Sequence, residues 1–200
     1  IERALGELEQ RLRASANPEF GYTFTRIFAH AEKVAPLYET EYTTPHIFQQ
    51  TQEMADIAGF YRAFGMQIAT DSGERPDHLG AELEFTSMLA LKEALALQEE
   101  NSEHVEIVRD ATAKFLRAHL GRWLGVFAKA LNEMDVENTF SADGFYASAA
   151  ILAREFVAWD AAQAGVTPIP IATPYTPRRP EPESLECGTP NAPAMAGGVA

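Results

Sequence analysis

Apolar residues recur every three or four positions along most of the chain, the spacing of helices with a buried stripe, and sustained strand-type alternation is absent. Leu5, Leu8 and Leu12 predict a helix over residues 1–14, and Phe20, Phe24, Ile27 and Phe28 predict a short second one. Thr44-Pro45 reads as an N-cap followed by a proline at the first helical position. The helix beyond it carries Phe48, Gln52, Ala55 and Gly59 on one flank and Met54, Ile57, Ala58 and Tyr61 on the next, and ends near Gly65. After turn residues at Asp71-Ser72-Gly73, a long helix is predicted over about 77–100, with Asp77 as its N-cap. Leu79, Leu83, Ala90, Ala94 and Leu97, with Phe85, Met88, Leu91 and Leu95, make it apolar nearly all round, as in a central helix. Ser102 can cap a further helix through Val105, Val108, Ala111, Phe115 and Leu116, and His119 to Met134 continues with Leu120, Trp123, Leu124, Phe127 and Leu131. Ser141 opens a last helix through Phe145, Ala149, Leu152, Phe156 and Trp159, stopped by Gly165. The expectation is an all-α, single-domain bundle of about seven helices whose short connections make neighbours mostly antiparallel.

Proline placement sets the boundary. Pro18, Pro36, Pro45 and Pro76 are the only prolines of residues 1–165, and the remaining eight of the 12 fall in 166–200. That stretch cannot propagate a helix or a central strand, so a helical domain over 1–165 is followed by a Pro-rich extended or disordered tail over 166–200.

Composition narrows the function classes. Of 200 residues, 16 are Lys or Arg and 29 are Asp or Glu, a formal charge of −13. An acidic surface argues against nucleic acid and anionic lipid, and favours a basic partner. One cysteine, Cys187 in the tail, excludes a disulfide framework or a Cys-rich zinc site. No run approaches the ~18 apolar residues of a membrane helix, so no stable membrane insertion is expected and a reduced, cytoplasmic setting is. No Gly-x-Gly-x-x-Gly, His-Glu-x-x-His, Glu-x-x-His, Gly-x-Ser-x-Gly or Ser-x-x-Lys occurs, and none of the four lysines follows a glycine. The lone cysteine is poorly placed for a nucleophile. The expectation is a protein without catalytic activity, cofactor or metal.

The polar groups that stand out form three clusters. In Glu74-Arg75-Pro76-Asp77-His78, Pro76 fixes the chain's angle into the long helix, and His78 shares a helical face with Glu82 four residues on. Glu82 and Glu84 both border apolar positions, where an unpaired charge is costly. They are either internal ion pairs tying helices together or a polar pocket for a cationic ligand. Tyr38-Glu39-Thr40-Glu41-Tyr42 can clasp a basic, partly apolar peptide, or its tyrosines can lid the core with their hydroxyls in water. His119, Trp123 and Phe127, at i, i+4 and i+8, read first as a core stripe and second as a ligand wall.

At these residues the chain resembles the TorD/DmsD/NarJ family of chaperones dedicated to molybdenum-cofactor oxidoreductases. Glu74-Arg75-Pro76-Asp77-His78-Leu79 running into Glu82-Leu83-Glu84-Phe85 follows the family's acidic-x-Pro-Asp-His signature and the Glu-x-Glu-Phe helix after it. Tyr38 to Tyr42, Ala55 to Tyr61, and Phe115-Leu116 through His119-Leu120 to Trp123 are similar to members in order and spacing. The Tyr-Glu-Thr-Glu-Tyr variant is most like the branch serving periplasmic enzymes of the dimethyl sulfide, selenate, chlorate and ethylbenzene type. The resemblance implies a cytoplasmic chaperone that binds the apo catalytic subunit of a molybdenum oxidoreductase, typically at its twin-arginine signal peptide, until the cofactor is loaded, and so delays export. The candidate peptide-binding residues are then Tyr38, Glu39, Glu41, Tyr42, Tyr61, Glu74, Pro76, Asp77, His78, Glu82, Glu84, His119 and Trp123. Glu39, Glu41, Glu74 and Asp77 would form an acidic mouth, and Asp77→Asn would weaken peptide binding while barely moving the melting temperature. The competing readings are a helical adaptor or structural subunit that binds a folded partner, and an enzyme with an unfamiliar site.

Overall fold

The computed structural model describes residues 1–14, 20–29, 35–44, 46–136 and 144–171. Among them run α1 (Glu2–Ala14), α2 (Phe20–Phe24) with a π-helical turn (Thr25–Ala29), α3 (Thr40–Thr43), α4 (Ile47–Ala63), α5 (Leu79–Gln98), α6 (Ser102–Ala118), α7 (Leu120–Val136) and α8 (Phe145–Gln163). The fold is all-α, as the periodicity predicts. The one β pairing among the described residues is an isolated antiparallel bridge between Tyr38 and His78. Pro45, Ser141, Cys187 and Arg178-Arg179 lie outside the described residues.

Helix starts differ from expectation by one or two residues, each for a local reason. Helix α4 begins after His46 rather than at Pro45; Thr44 closes α3, and its Oγ1 accepts from the His46 amide at 3.5 Å. Asn101, not Ser102, caps α6, with Oδ1 accepting from the His104 amide at 3.1 Å. His119 alone separates α6 from α7, through its φ of −126° and ψ of −104°. Gly165 ends α8 as expected, because its φ of +68° is a left-handed conformation that other residues adopt at a cost.

Helix α7 packs against α6 and α8, α5 against α6, and α1 against α8. The core is aromatic. Phe85, Phe115, Trp123 and Ile57 are fully buried, and Phe85 meets Phe115 at 4.8 Å and Tyr61 at 4.9 Å between ring centroids. The His119–Trp123–Phe127 stripe is buried along its whole length, as the core reading requires. Helix α5 is not buried all round. Phe85, Leu89 and Ala96 face inward while Leu91 (60%), Leu95 and Leu97 face solvent, since only one side of α5 meets neighbours. Residues 166–171 follow α8 without regular secondary structure and lie against the bundle. The Ile169 amide donates to Arg117 O at 2.9 Å, and Val166 and Ile171 touch the core.

Candidate functional site: a buried carboxylate cluster under two loops

Two short segments form the floor. Residues 37–39 lie beside 77–79: Glu39 N donates to Asp77 O at 2.9 Å and Leu79 N donates to Leu37 O at 2.8 Å. This pairing fixes the roles of the Asp-His dipeptide. His78, in extended conformation, is the N-cap of α5, and its Nδ1 accepts from the Gly80 amide at 3.1 Å. Asp77 is turned the other way, toward Thr40 at the start of α3, and does not cap α5, which corrects the sequence expectation. Its carboxylate accepts from Thr40 Oγ1 at 2.8 Å, Thr40 N at 3.2 Å, Arg75 Nε at 2.9 Å and Arg75 Nη2 at 2.7 Å. Both carboxylate oxygens are thus engaged by a guanidinium fork, the strong bidentate geometry. Arg75 also reaches Thr40 Oγ1 at 2.7 Å and Glu41 at 3.3 Å, and its guanidinium carbon stands 4.4 Å above the Tyr38 ring.

The tyrosines are not wet lids. Tyr42 is buried, donates to Pro36 O at 2.8 Å and stacks on Trp123 at 5.3 Å. Tyr61 donates to Pro76 O at 2.7 Å, anchoring the loop to α4, and burial with the surrounding carboxylates pushes its phenol far up. Tyr38 donates to Glu74 Oε1 at 3.0 Å. His78 Nε2 lies 3.9 Å from Glu74 Oε2, so its acidic neighbour is Glu74 and not Glu82. Pro76 sits in the trans form, with its carbonyl spent on Tyr61.

Beneath the loops lie the groups that matter most electrostatically. Glu82 is fully buried and its Oε2 accepts from Trp123 Nε1 at 3.2 Å. Glu84, two residues on, is exposed on the opposite side of α5, so only one of the two carboxylates borders packing. Glu39 is fully buried, its Oε2 3.3 Å from His119 Nδ1; the other ring nitrogen of His119 is 3.1 Å from Asp56 Oδ2. Each imidazole nitrogen faces a carboxylate oxygen, and only the imidazolium can donate from both. Burial alone would lower the His119 pKa, but the hydrogen bond and charge of Glu39, joined by Asp56, outweigh burial and raise it. Burial raises Glu39, and burial together with the charge of Glu39 raises Glu82 well above an ordinary carboxyl.

The structure therefore gathers twelve of the thirteen candidates around one cluster and leaves Glu84 outside it. It does not make an exposed acidic mouth of Glu39 and Asp77, which are both fully buried. Sequence reasoning missed Arg75, Thr40, Glu53, Asp56 and Arg122. Arg75, Thr40 and Asp56 lie inside the segments singled out above. Arg122, one residue before Trp123, carried no signal; its Nη1 stands 3.7 Å from both Glu39 Oε1 and Glu53 Oε1. No group of three or more His, Cys, Asp or Glu that could hold a metal occurs among the described residues. No helix among them is long and apolar enough to cross a membrane.

An all-α bundle built on this cluster matches the family described as the nitrate reductase delta subunit over residues 1–129, and the chain belongs to that family. Among its curated relatives, the selenate reductase assembly chaperone protein of Thauera selenatis is 37% identical over 82 residues, 41% of this chain and 42% of the relative. The chlorate reductase assembly chaperone protein of Ideonella dechloratans is 34% identical over 91 residues, 46% of this chain and 45% of the relative. The perchlorate reductase assembly chaperone protein of Dechloromonas aromatica is 33% identical over 93 residues, 46% of this chain and 41% of the relative. Each match spans less than half of either protein.

Proposed function

We propose that this protein is a cytoplasmic, system-specific chaperone that binds the apo catalytic subunit of a molybdenum-cofactor oxidoreductase at its twin-arginine signal peptide. Holding that peptide assists cofactor insertion and delays export. The protein acts by binding and not by catalysis. The observation that carries the reading is the family match, together with relatives named as assembly chaperones of three oxyanion reductases.

The surface beside the cluster supports it. On α4, Ile47 (72%) and Phe48 (83%) are the most exposed large apolar side chains among the described residues, and Glu53 and Asp56 follow one to two turns later. A peptide that is cationic and then apolar requires acidic and apolar surface on one face. A folded partner is the second reading, and Leu91, Leu95, Leu97 and Ile107, all exposed on α5 and α6, favour it.

The test is capture of the cofactor-free catalytic subunit by the tagged protein, with and without the signal peptide. Capture that depends on the peptide and weakens with added salt is expected, because exposed charges are screened beyond about 8 Å at physiological ionic strength. Capture of only the cofactor-loaded, folded subunit would overturn the reading in favour of the adaptor.

A further inference from the structure

Helix α4 turns two unlike sides to its surroundings. Ile57 and Tyr61 are buried on the inner side, where the Tyr61 ring lies 4.9 Å from that of Phe85. At about 100° per residue, the flank of Phe48, Gln52, Ala55 and Gly59 falls on the opposite side, roughly 180° round from Ile57. Phe48, Gln52 and Ala55 are exposed, and a Cβ added at Gly59 would meet nothing within 4 Å. The flank is therefore an open strip with an aromatic ring at one end and small residues further along. Asp56 borders it, about 80° round from Phe48.

Asp56 differs from the other carboxylates of the cluster. Glu39, Asp77 and Glu82 are fully buried, Glu41 meets Arg75 at 3.3 Å, and Glu74 accepts from Tyr38. The Asp56 side chain is 66% exposed. Its Oδ2 lies 3.1 Å from His119 Nε2, and no donor among the described residues meets its Oδ1. His119 is held from behind by Glu39 at 3.3 Å, so a buried ring gives a surface carboxylate one orientation. The charges leave that carboxylate uncompensated. Linked through these contacts are the carboxylates of Glu39, Glu53 and Asp56 and two cations, the His119 imidazolium and Arg122, the latter 3.7 Å from both Glu39 and Glu53. With all of them charged, one negative charge is left over, and Asp56 is the carboxylate most open to solvent.

We propose that Asp56 takes an arginine of the client's signal peptide, its Oδ1 accepting from the guanidinium, and that the apolar residues beside that arginine run along the α4 flank to Phe48. The proposal rests on the signal-peptide reading and adds which carboxylate receives an arginine and which path the peptide follows. A cationic, then apolar, segment requires an uncompensated carboxylate with an apolar strip alongside, and α4 supplies both. Phe48 is eight residues from Asp56, about 12 Å along the helix axis at 1.5 Å per residue. An extended peptide covers that distance in about four residues at roughly 3.3 Å each, which sets the spacing between the arginine and the side chain that meets Phe48. The small Ala55 side chain between them lets the peptide backbone approach the helix.

Fluorescence anisotropy of a labelled twin-arginine signal peptide against the full chain tests this. Three peptides are compared: the native one, and two in which one arginine or the other is replaced by glutamine. Asp56→Asn should weaken the native peptide about tenfold or more, the loss of one charge-assisted bond. For one of the two substituted peptides that penalty should vanish, because the arginine that Asp56 receives is already gone. A penalty equal for all three peptides means that Asp56 only ties α4 to His119, and overturns the proposal; so does the absence of any penalty. Gly59→Lys puts an ammonium one turn from Asp56, where a side chain meets no obstacle, and should weaken the native peptide while circular dichroism stays unchanged. Unaltered affinity in that variant overturns the path along α4. A native chain that binds no signal peptide overturns the signal-peptide reading together with this one, whereas binding indifferent to Asp56 overturns this one alone.

Discussion

Asp77→Asn should cost stability before it costs binding. The parent carboxylate gathers four donors from Thr40 and Arg75 while fully buried. An asparagine has one acceptor oxygen, so however its amide turns, an NH2 group is aimed at a guanidinium or hydroxyl donor that the parent oxygen satisfied. The substitution removes at least one charge-assisted bond of about 1.5–3 kcal/mol and weakens the others. Breaking a buried pair costs about 3–5 kcal/mol when the partner charge is stranded. Arg75 keeps 32% of its side chain in solvent and can be partly rehydrated, so the lower end, about 3 kcal/mol, applies. For a body of this size that is a fall of about 6–12 °C in melting temperature, at roughly 2–4 °C per kcal/mol. Thermal melts by circular dichroism, with urea midpoints as a second measure, read the difference directly. Peptide affinity has to be compared at a temperature where both proteins remain folded. A melting temperature within about 2 °C of the parent would refute the reasoning, because the four-donor site would then contribute no more than an ordinary surface contact.

His78→Ala removes the side chain that caps α5 and should cost about 0.5–2 kcal/mol in the same melts. Glu39, Glu82 and His119 all hold protons more tightly folded than unfolded. The folded state then binds more protons, and stability falls as pH rises from the carboxyl range near 4.5 upward. The His119 share is complete below about 6.5 and is lost as pH climbs through its raised value, so the parent should melt higher at pH 6 than at pH 8. Glu82→Gln should flatten that slope, and a slope unchanged by it would count against the assignment. Gly121→Ala should lose about 1–3 kcal/mol, since a Cβ there would collide with the Leu116 carbonyl and come within 2.9 Å of Pro168; an unchanged urea midpoint would show that the 166–171 segment gives way freely. Phe48→Ser should leave stability within about 0.5 kcal/mol but weaken signal-peptide binding in a fluorescence titration, and unaltered affinity would move the apolar subsite off α4.

Much of this was legible in the sequence because it is local. Spacing alone places six long helices, and the His119–Trp123–Phe127 stripe is buried as its period requires. What was not legible depends on partners far along the chain. Asp and His are both plausible at the start of α5, and the choice between them is made by the pairing of 37–39 with 77–79, which no local rule contains. Glu82 and Glu84 look alike in a linear pattern, yet being two residues apart puts them on different sides, and only the docking of α7 decides which is buried. The leucines of α5 suggest burial all round because hydrophobicity counts residues, not neighbours; Leu91, Leu95 and Leu97 stay largely exposed. Arg122 was invisible for the opposite reason, since a single arginine in a helix is the commonest of surface residues until it meets a carboxylate such as Glu39, 83 positions earlier.

The cluster's wiring bears on how the chain reaches its native state. His119 meets Glu39 across 80 residues and Asp56 across 63, Trp123 meets Glu82 across 41, and Thr40 meets Asp77 across 37. Helices α4 to α7 can each begin to form from local contacts, but Glu39 and Glu82 meet His119 and Trp123 only when the start of α7 is docked. A partly assembled chain would hold carboxylates out of water with nothing to meet them, so half-built forms are penalised and the last docking step is cooperative. A nascent chain that stops before α7 therefore lacks the partners of Glu39, Glu82 and Tyr42, although the loops at 37–43 and 74–78 already hold each other. Synthesis through Trp123 becomes the point at which those loops can close for good.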